Sequence, residues 1–133
     1  MEALITATQA QWRGNAALFS SLTGGMHLGR QPSEKTQPYC VVTIEETPWW
    51  TFDHNFESYV INFFLYSKEQ SPATLLSIYT KLKAAFDEAE RIGLVVDGYH
   101  VIRFWRLGST PIQQVDVVWV LTVQYSCELE QTS

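Results

Sequence analysis

The sequence has few of the residues from which catalytic and metal-binding sites are built. It contains three histidines and two cysteines, and His27, His54 and His100 lie in separate segments with no shared motif. A metal site needs such ligands at close spacing or on one face of an element, and nucleophilic catalysis needs a nucleophile held beside a base. Neither pattern is present, and Gly24-Gly25 follows a helical pattern instead of opening a helix, as a phosphate-binding loop does. We therefore predict that the protein is not an enzyme and carries neither cofactor nor metal.

Basic residues are scarce as well. Nine lysines and arginines stand against 14 aspartates and glutamates, which gives a formal net charge of −5. A nucleic-acid binder needs a basic footprint that neutralises phosphates, and a protein that binds anionic membranes needs basic clusters. The composition argues against both partners, although DNA could pass along such a protein without being held.

Long apolar runs and secretory signals are also missing. No run approaches the ~20 residues of a membrane span, and no segment has the charged start, apolar middle and cleavage site of a signal peptide. Cys40 and Cys127 lie far apart inside predicted strands, where buried thiols in a reducing compartment are the ordinary case. These absences favour a soluble, cytoplasmic product.

Apolar residues with clear periodicity are abundant. Hydrophobic residues make up 46% of the 133 positions, which suits one domain over residues 1–133. The pattern predicts an N-terminal helix within residues 1–25, a polar loop over 26–38, and a sheet with a second helix over 39–130. The order is α-β-β-α-β-β. This is an α+β fold, in which one antiparallel-rich sheet is covered by two helices.

The bounds of the individual elements follow from the spacing of the apolar residues and from the residues that typically begin or end helices and strands. A helical stripe over 2–22 ends at a glycine pair, and a second helix runs from Ser71-Pro72 to residue 91. The predicted strands span residues 39–46, 57–67, 94–106 with a kink at Asp97-Gly98, and 115–127. The odd positions of the last strand, Trp119 included, are expected to face inward.

The second strand is apolar on both sides. Its odd positions from Tyr59 to Leu65 form one buried face, while Phe64 and Tyr66 make the opposite face only partly polar. That second apolar surface needs a cover of its own, either from the chain or from a partner.

Two further groups are candidate contact residues. Trp49, Trp50 and Phe52 stand between two predicted strands, where polar turn residues are usual. Tryptophan and phenylalanine are enriched in interface cores, but a loop folded back over the sheet end explains them equally well. Arg103 and Arg106 flank Trp105, and arginine with tryptophan can anchor an interface.

Several stretches carry a resemblance to a known family. They are the glycine pair after the first helix and the segments 29–32, 37–42, 57–67, 72–89, 96–101 and 115–125. Over about residues 12–130 they resemble the small tail completion or tail terminator proteins of long-tailed phages and prophages. The shared motifs are loose, with no catalytic signature. Trp49-Trp50 and the hairpin at Pro111 have no counterpart in the family's pattern.

The resemblance implies a structural virion protein. Such a protein forms a ring, a homohexamer, that caps the tail tube at its head-proximal end. Its implied partners are its own copies, the tail tube protein and a head connector or adaptor protein, while DNA passes through without specific binding. The implied location is the head–tail junction of the virion, and the host cytoplasm during assembly. The resemblance to this family makes Arg30 and Lys35 in the polar loop candidate contacts with a neighbouring subunit.

Two alternative functions remain open. A head-closure or head–tail adaptor protein of the phage neck has the same composition and differs only in its partner. A small cellular α+β module that binds a ligand or a protein would instead be a stable monomer or dimer with a concave apolar pocket.

We expect the combined substitution of Trp49→Ala and Trp50→Ala to leave the fold intact and to weaken assembly. Interface tryptophans contribute binding energy without supporting the monomer's core. Thermal unfolding measures the first effect and the mass of the assembled species measures the second. Unfolding of the double variant would show that these side chains belong to the core.

Overall fold

A computed structural model describes residues 2–29, 36–47, 56–68, 71–87 and 94–132. Within these residues there are helices and strands in the order α1 (Glu2–Gly14), α2 (Ala16–Ser21), β1 (Met26–Leu28), β2 (Tyr39–Thr47), β3 (Phe56–Ser67), α3 (Ala73–Phe86), β4 (Tyr99–Ser109), β5 (Gln113–Val115) and β6 (Val118–Gln131). The α+β class predicted from periodicity is confirmed.

The strands form one mixed sheet. Its order is β1-β2-β3-β6-β4, with β5 paired to β6 beyond the end of β4. The β1–β2 pair is parallel and the other pairs are antiparallel. The long central strands β3 and β6 therefore lie side by side although α3, β4 and β5 separate them along the chain.

The N-terminal helical segment is two helices, and the prediction of one helix over 2–22 is wrong on this point. α1 ends at Gly14, and Asn15 caps α2 by accepting a 3.0 Å hydrogen bond from the Leu18 N–H at its Oδ1. Glycine weakens a helix interior, and asparagine is a preferred N-cap. These two neighbouring residues together end one helix and begin the next.

The predicted loop over 26–38 contains a short strand. β1 pairs with Cys40–Val42 of β2, and the Cys40 N–H donates to the Gly25 carbonyl at 3.0 Å. The Gly24 N–H donates to the Pro38 carbonyl at 2.8 Å. These bonds tie the segment after α2 to the start of β2.

The C-terminal strands also differ from the prediction. Residues 94–96 are not a strand, and β4 begins only after Gly98, whose φ is +82°. The predicted strand over 115–127 is interrupted by a turn at Asp116-Val117, so β6 begins at Val118 and continues to Gln131. Val115 and Val117 are 54% and 65% exposed instead of facing inward. Trp119 is half-buried.

The hydrophobic core lies between the helices and one face of the sheet. An aromatic cluster is at its centre: the Phe63 ring lies 4.8 Å from that of Phe86 and 5.7 Å, edge-on, from that of Tyr125. Phe104 stacks on Tyr125 at 5.3 Å. Such pairs contribute about 0.5–1.5 kcal/mol each beyond their buried area, and this cluster joins α3 to three strands.

Gly24→Ala should destabilise the fold. A Cβ at Gly24 would lie 1.8 Å from the Thr36 carbonyl oxygen, so the backbone must shift and strain its bond to Pro38. We expect a loss of about 1–3 kcal/mol, typical of overpacking, in urea unfolding. Gly14→Ala is the control, because its Cβ meets nothing within 4 Å. Equal stability of the two variants would contradict this account.

Candidate assembly surface on the outer face of the sheet

The side chains of the sheet that point away from the helices form a second surface. None of them belongs to the core cluster, and strand register places them on a common side. We call this side the outer face. Its residues are Tyr39, Val41, Thr43 and Glu45 of β2, Ser58, Val60, Asn62, Phe64 and Tyr66 of β3, Val120, Thr122, Gln124, Ser126 and Glu128 of β6, and Arg103 and Trp105 of β4.

One end of the outer face is aromatic. Tyr39 pairs with Tyr66 in register and stacks on it, with ring centroids 4.8 Å apart and planes 19° apart. In the next row Val41 pairs with Phe64. Tyr39 and Val41 are buried, whereas Phe64 and Tyr66 are half-buried. Phe64 and Tyr66 thus lie on the second face, as the alternation predicts, and retain accessible aromatic surface.

The middle of the outer face is a row of hydrogen-bonded polar side chains. Gln124 Nε2 donates to Asn62 Oδ1 at 2.8 Å, and Asn62 Nδ2 donates to Thr43 Oγ1 at 3.1 Å. The row crosses β6, β3 and β2 at one level of the sheet. Because Gln124 and Thr43 both bond to it, the buried Asn62 amide carries little desolvation cost. The row fixes the register of the three strands from the outer side.

Arg103 lies on the outer face at the edge of the sheet. It is exposed, and its guanidinium carbon lies 3.9 Å from the centre of the Trp105 ring. In register it stands opposite Glu128 of β6. Stacking on tryptophan holds the guanidinium in place while its donors stay accessible. This position suits a contact residue.

Arg106 lies on the opposite side of the sheet and is held within the chain. Its Nη2 lies 3.6 Å from Asp87 Oδ2, and its Nη1 donates to the Tyr79 hydroxyl at 3.1 Å. The Tyr125 hydroxyl donates to Asp87 Oδ1 at 2.5 Å. Burial first, and then this bond, raise the pKa of Tyr125. The network fastens the end of α3 to β4 and β6.

The separation of the two arginines could have been found from the sequence. They stand three positions apart in β4, and residues an odd number apart in a strand point to opposite faces. The register shifts of β4 lie between Val101 and Arg103 and between Arg106 and Gly108, so neither falls between the arginines.

Other proposed contact residues lie outside the described part of the chain. These are Arg30, Lys35, Trp49, Trp50 and Phe52. Their role in contacts stays a prediction from the sequence.

Sequence reasoning missed a groove beside the aromatic end of the outer face. It encloses about 330 Å³. Its lining comprises Gln37, Tyr39, Tyr66, Lys68, Val115, Asp116, Val117, Val118 and Val120. The valines around Asp116 alternate with polar residues as they would in one continuous strand. The sequence pattern therefore did not indicate the turn that forms this groove.

Burial and hydrogen bonds within the fold raise the pKa values of several cysteines and tyrosines. Burial raises the pKa of the Cys127 thiol to about 12 and raises that of Cys40 as well, so neither is a thiolate at neutral pH. A hydrogen bond to Glu57 raises the pKa of Tyr99, and burial raises that of Tyr59, which also hydrogen-bonds Glu57.

Among the described residues no group of three or more His, Cys, Asp or Glu side chains could hold a metal. No described helix has the length and apolar character needed to cross a bilayer.

Arg106→Ala should lower stability, whereas Arg103→Ala should leave it nearly unchanged. The first removes a charged hydrogen bond and an ion partner of Asp87, which typically costs about 1.5–3 kcal/mol. The second removes an exposed cation–π contact of about 0.5–1 kcal/mol or less. Urea unfolding of both variants measures the difference. A larger loss for Arg103→Ala would contradict the placement of the two arginines.

Comparison with known proteins gives the fold a precedent. No protein-family model matches the sequence, and no curated protein sequence is similar to it. Among solved structures, a chain in the virion of a native gene transfer agent particle matches with a TM-score of 0.72 and 16% identity, over 91% of this chain and 90% of that one. A second solved structure matches with a TM-score of 0.67 and 11% identity, over 96% of both chains. At these identities the likeness establishes that the chain shares their fold.

Proposed function

We propose that this protein is a structural component of a phage-like virion. One observation carries the proposal: the fold coincides nearly end to end with that of a chain in a gene transfer agent virion, with 91% and 90% of the two chains covered.

The outer face supports an assembly role. The core cluster of the described residues lies between the helices and the inner face, whereas Phe64 and Tyr66 keep half-buried aromatic surface on the other side. Aromatic residues and arginine are the side chains most enriched in interface cores, and Arg103 stands on the same face.

The finer proposal is that the protein caps the tail tube at its head-proximal end as a ring. Copies in a ring meet through heterologous contacts, in which two different surfaces of each copy are used. We assign Phe64, Tyr66 and Arg103 to these contacts, together with Trp49, Trp50, Phe52, Arg30 and Lys35 of the remaining chain. Arg106 acts indirectly, since it holds α3 against the sheet. The ring would dock a head connector or adaptor protein and let DNA pass without binding it.

The edge of the sheet bears on how such a ring is held together. No described strand pairs with the free side of β4. Its two register shifts, at Val101/Arg103 and Arg106/Gly108, break the regular row of donors and acceptors that an added strand needs. At the β4 edge, the proposed contacts between subunits therefore use faces and loops in preference to strand addition.

Deletion of the gene from the phage or prophage that encodes it tests the proposal. We expect electron microscopy to show tails of uncontrolled length without heads, because an uncapped tube keeps growing. The wild-type gene and Arg13→Ala should restore normal particles. Arg103→Ala should restore fewer. Arg13 is the matched control, because it is an exposed arginine on α1 and no part of the outer face.

Two other outcomes would overturn the tail-capping function. Tails of normal length beside heads that lose their DNA would indicate a head-closure or adaptor protein and keep the virion role. Normal particles would refute the virion role itself and favour a cellular module.

A further inference from the structure

The turn between β5 and β6 exposes apolar side chains without a local reason. Val115 pairs with Val118, so Asp116 and Val117 form a two-residue loop. Loops of this length favour asparagine, aspartate and glycine, and Asp116, with φ +57°, fulfils that requirement. Val117 does not, yet it is 65% exposed beside Val115 at 54%. The turn thus carries an apolar projection that its own geometry does not need.

A groove with both apolar and polar lining residues lies directly beside this projection. The groove of about 330 Å³ runs from the turn to Tyr39 and Tyr66, with Val118 and Val120 in between. We call the exposed valines and this groove together the valine-tip surface. Val115 and Val117 themselves form part of the wall of this groove, and a raised wall next to a hollow is a shape that can fit a rotated copy of itself.

The charged residues at the rim of the groove are also suited to pairing with a rotated copy of the chain. Lys68 and Asp116 both line the groove and both are exposed. Neither makes an ion pair with any described residue. Within the described part of the chain this surface thus carries one unpaired cation and one unpaired anion. Such a surface is complementary to its own two-fold copy, in which each cation meets the other copy's anion. A nucleic acid would instead need several cations.

We propose that two copies of this chain pair through the valine-tip surface around a two-fold axis. Val115 and Val117 of each copy enter the groove of the other, and Lys68 of each copy faces Asp116 of the other. This pairing goes beyond the virion role. Its groove shares Tyr66 with the proposed ring contacts, whereas Phe64 and Arg103 do not line it.

A matched pair of exposed valines tests the surface. Val117→Asp should raise the dimer dissociation constant at least about tenfold, because the new carboxylate must lose its hydration in an apolar contact. Val95→Asp should not, since Val95 is 78% exposed but lies beside α1, away from this surface. Sedimentation over a concentration series measures both, and thermal unfolding checks that each variant folds. A wild-type chain that stays monomeric throughout, or a dimer that Val117→Asp leaves unchanged, would overturn the proposal.

A charge exchange tests the two-fold arrangement. Lys68→Glu alone and Asp116→Lys alone should each weaken the dimer, because like charges then meet at both contacts. An equimolar mixture of the two single variants should associate again as a heterodimer, in which every contact pairs opposite charges. Recovery in the mixture would establish that the contact runs between copies. Failure of the mixture to associate, with both variants folded, would rule out this pairing.

Discussion

The uninterrupted register between β3 and β6 is the constraint on which the rest of the molecule depends. Pairs run from Phe56 with Glu130 to Ser67 with Trp119 without a bulge. Because strand side chains alternate, a slip of one residue would exchange the two faces of the sheet. Such a slip would reverse one of the two strands relative to the other, turning either Phe63 or Tyr125 outward and either Asn62 or Gln124 towards the core. The core and the outer face are thus two consequences of one register.

Both faces contribute to holding that register. On the inner side, Phe63 and Tyr125 meet the Phe86 ring of α3. On the outer side, Gln124, Asn62 and Thr43 bond to one another across three strands. A shifted register would leave the buried Asn62 amide without these partners, which costs about 1–3 kcal/mol. The polar row therefore excludes alternatives that apolar packing alone would tolerate.

The parts of the fold that could be predicted from the sequence are those with a long period. β3 was predicted within one residue because its apolar odd positions recur over most of its length. β2 was predicted within one residue because its apolar run begins at Pro38-Tyr39 and Thr47-Pro48 closes it. β1 was missed because three residues have no measurable period, and its parallel partner lies beyond a polar segment. The turn at Asp116 was missed because the valines around it alternate like a strand. The outer-face position of Phe64 and Tyr66 followed from the alternation of side chains along β3. The groove beside Tyr66 depends on a turn that carries no glycine or proline, so the sequence did not indicate it.

Likeness of fold at 16% identity is understandable on the same grounds. Many combinations of side chains can hold the same register, provided that each row of side chains across the strands stays apolar or stays polar. The rows of the outer face are therefore constrained by folding as well as by any contact they make. Asn62 cannot adapt to a new partner without loosening Gln124 and Thr43. Arg103 and Val117 are bound by no such row: one lies at the sheet edge and the other at a turn. Specificity for a partner can change at these two places while the register stays the same, and this is where relatives of equal fold and different partners should diverge.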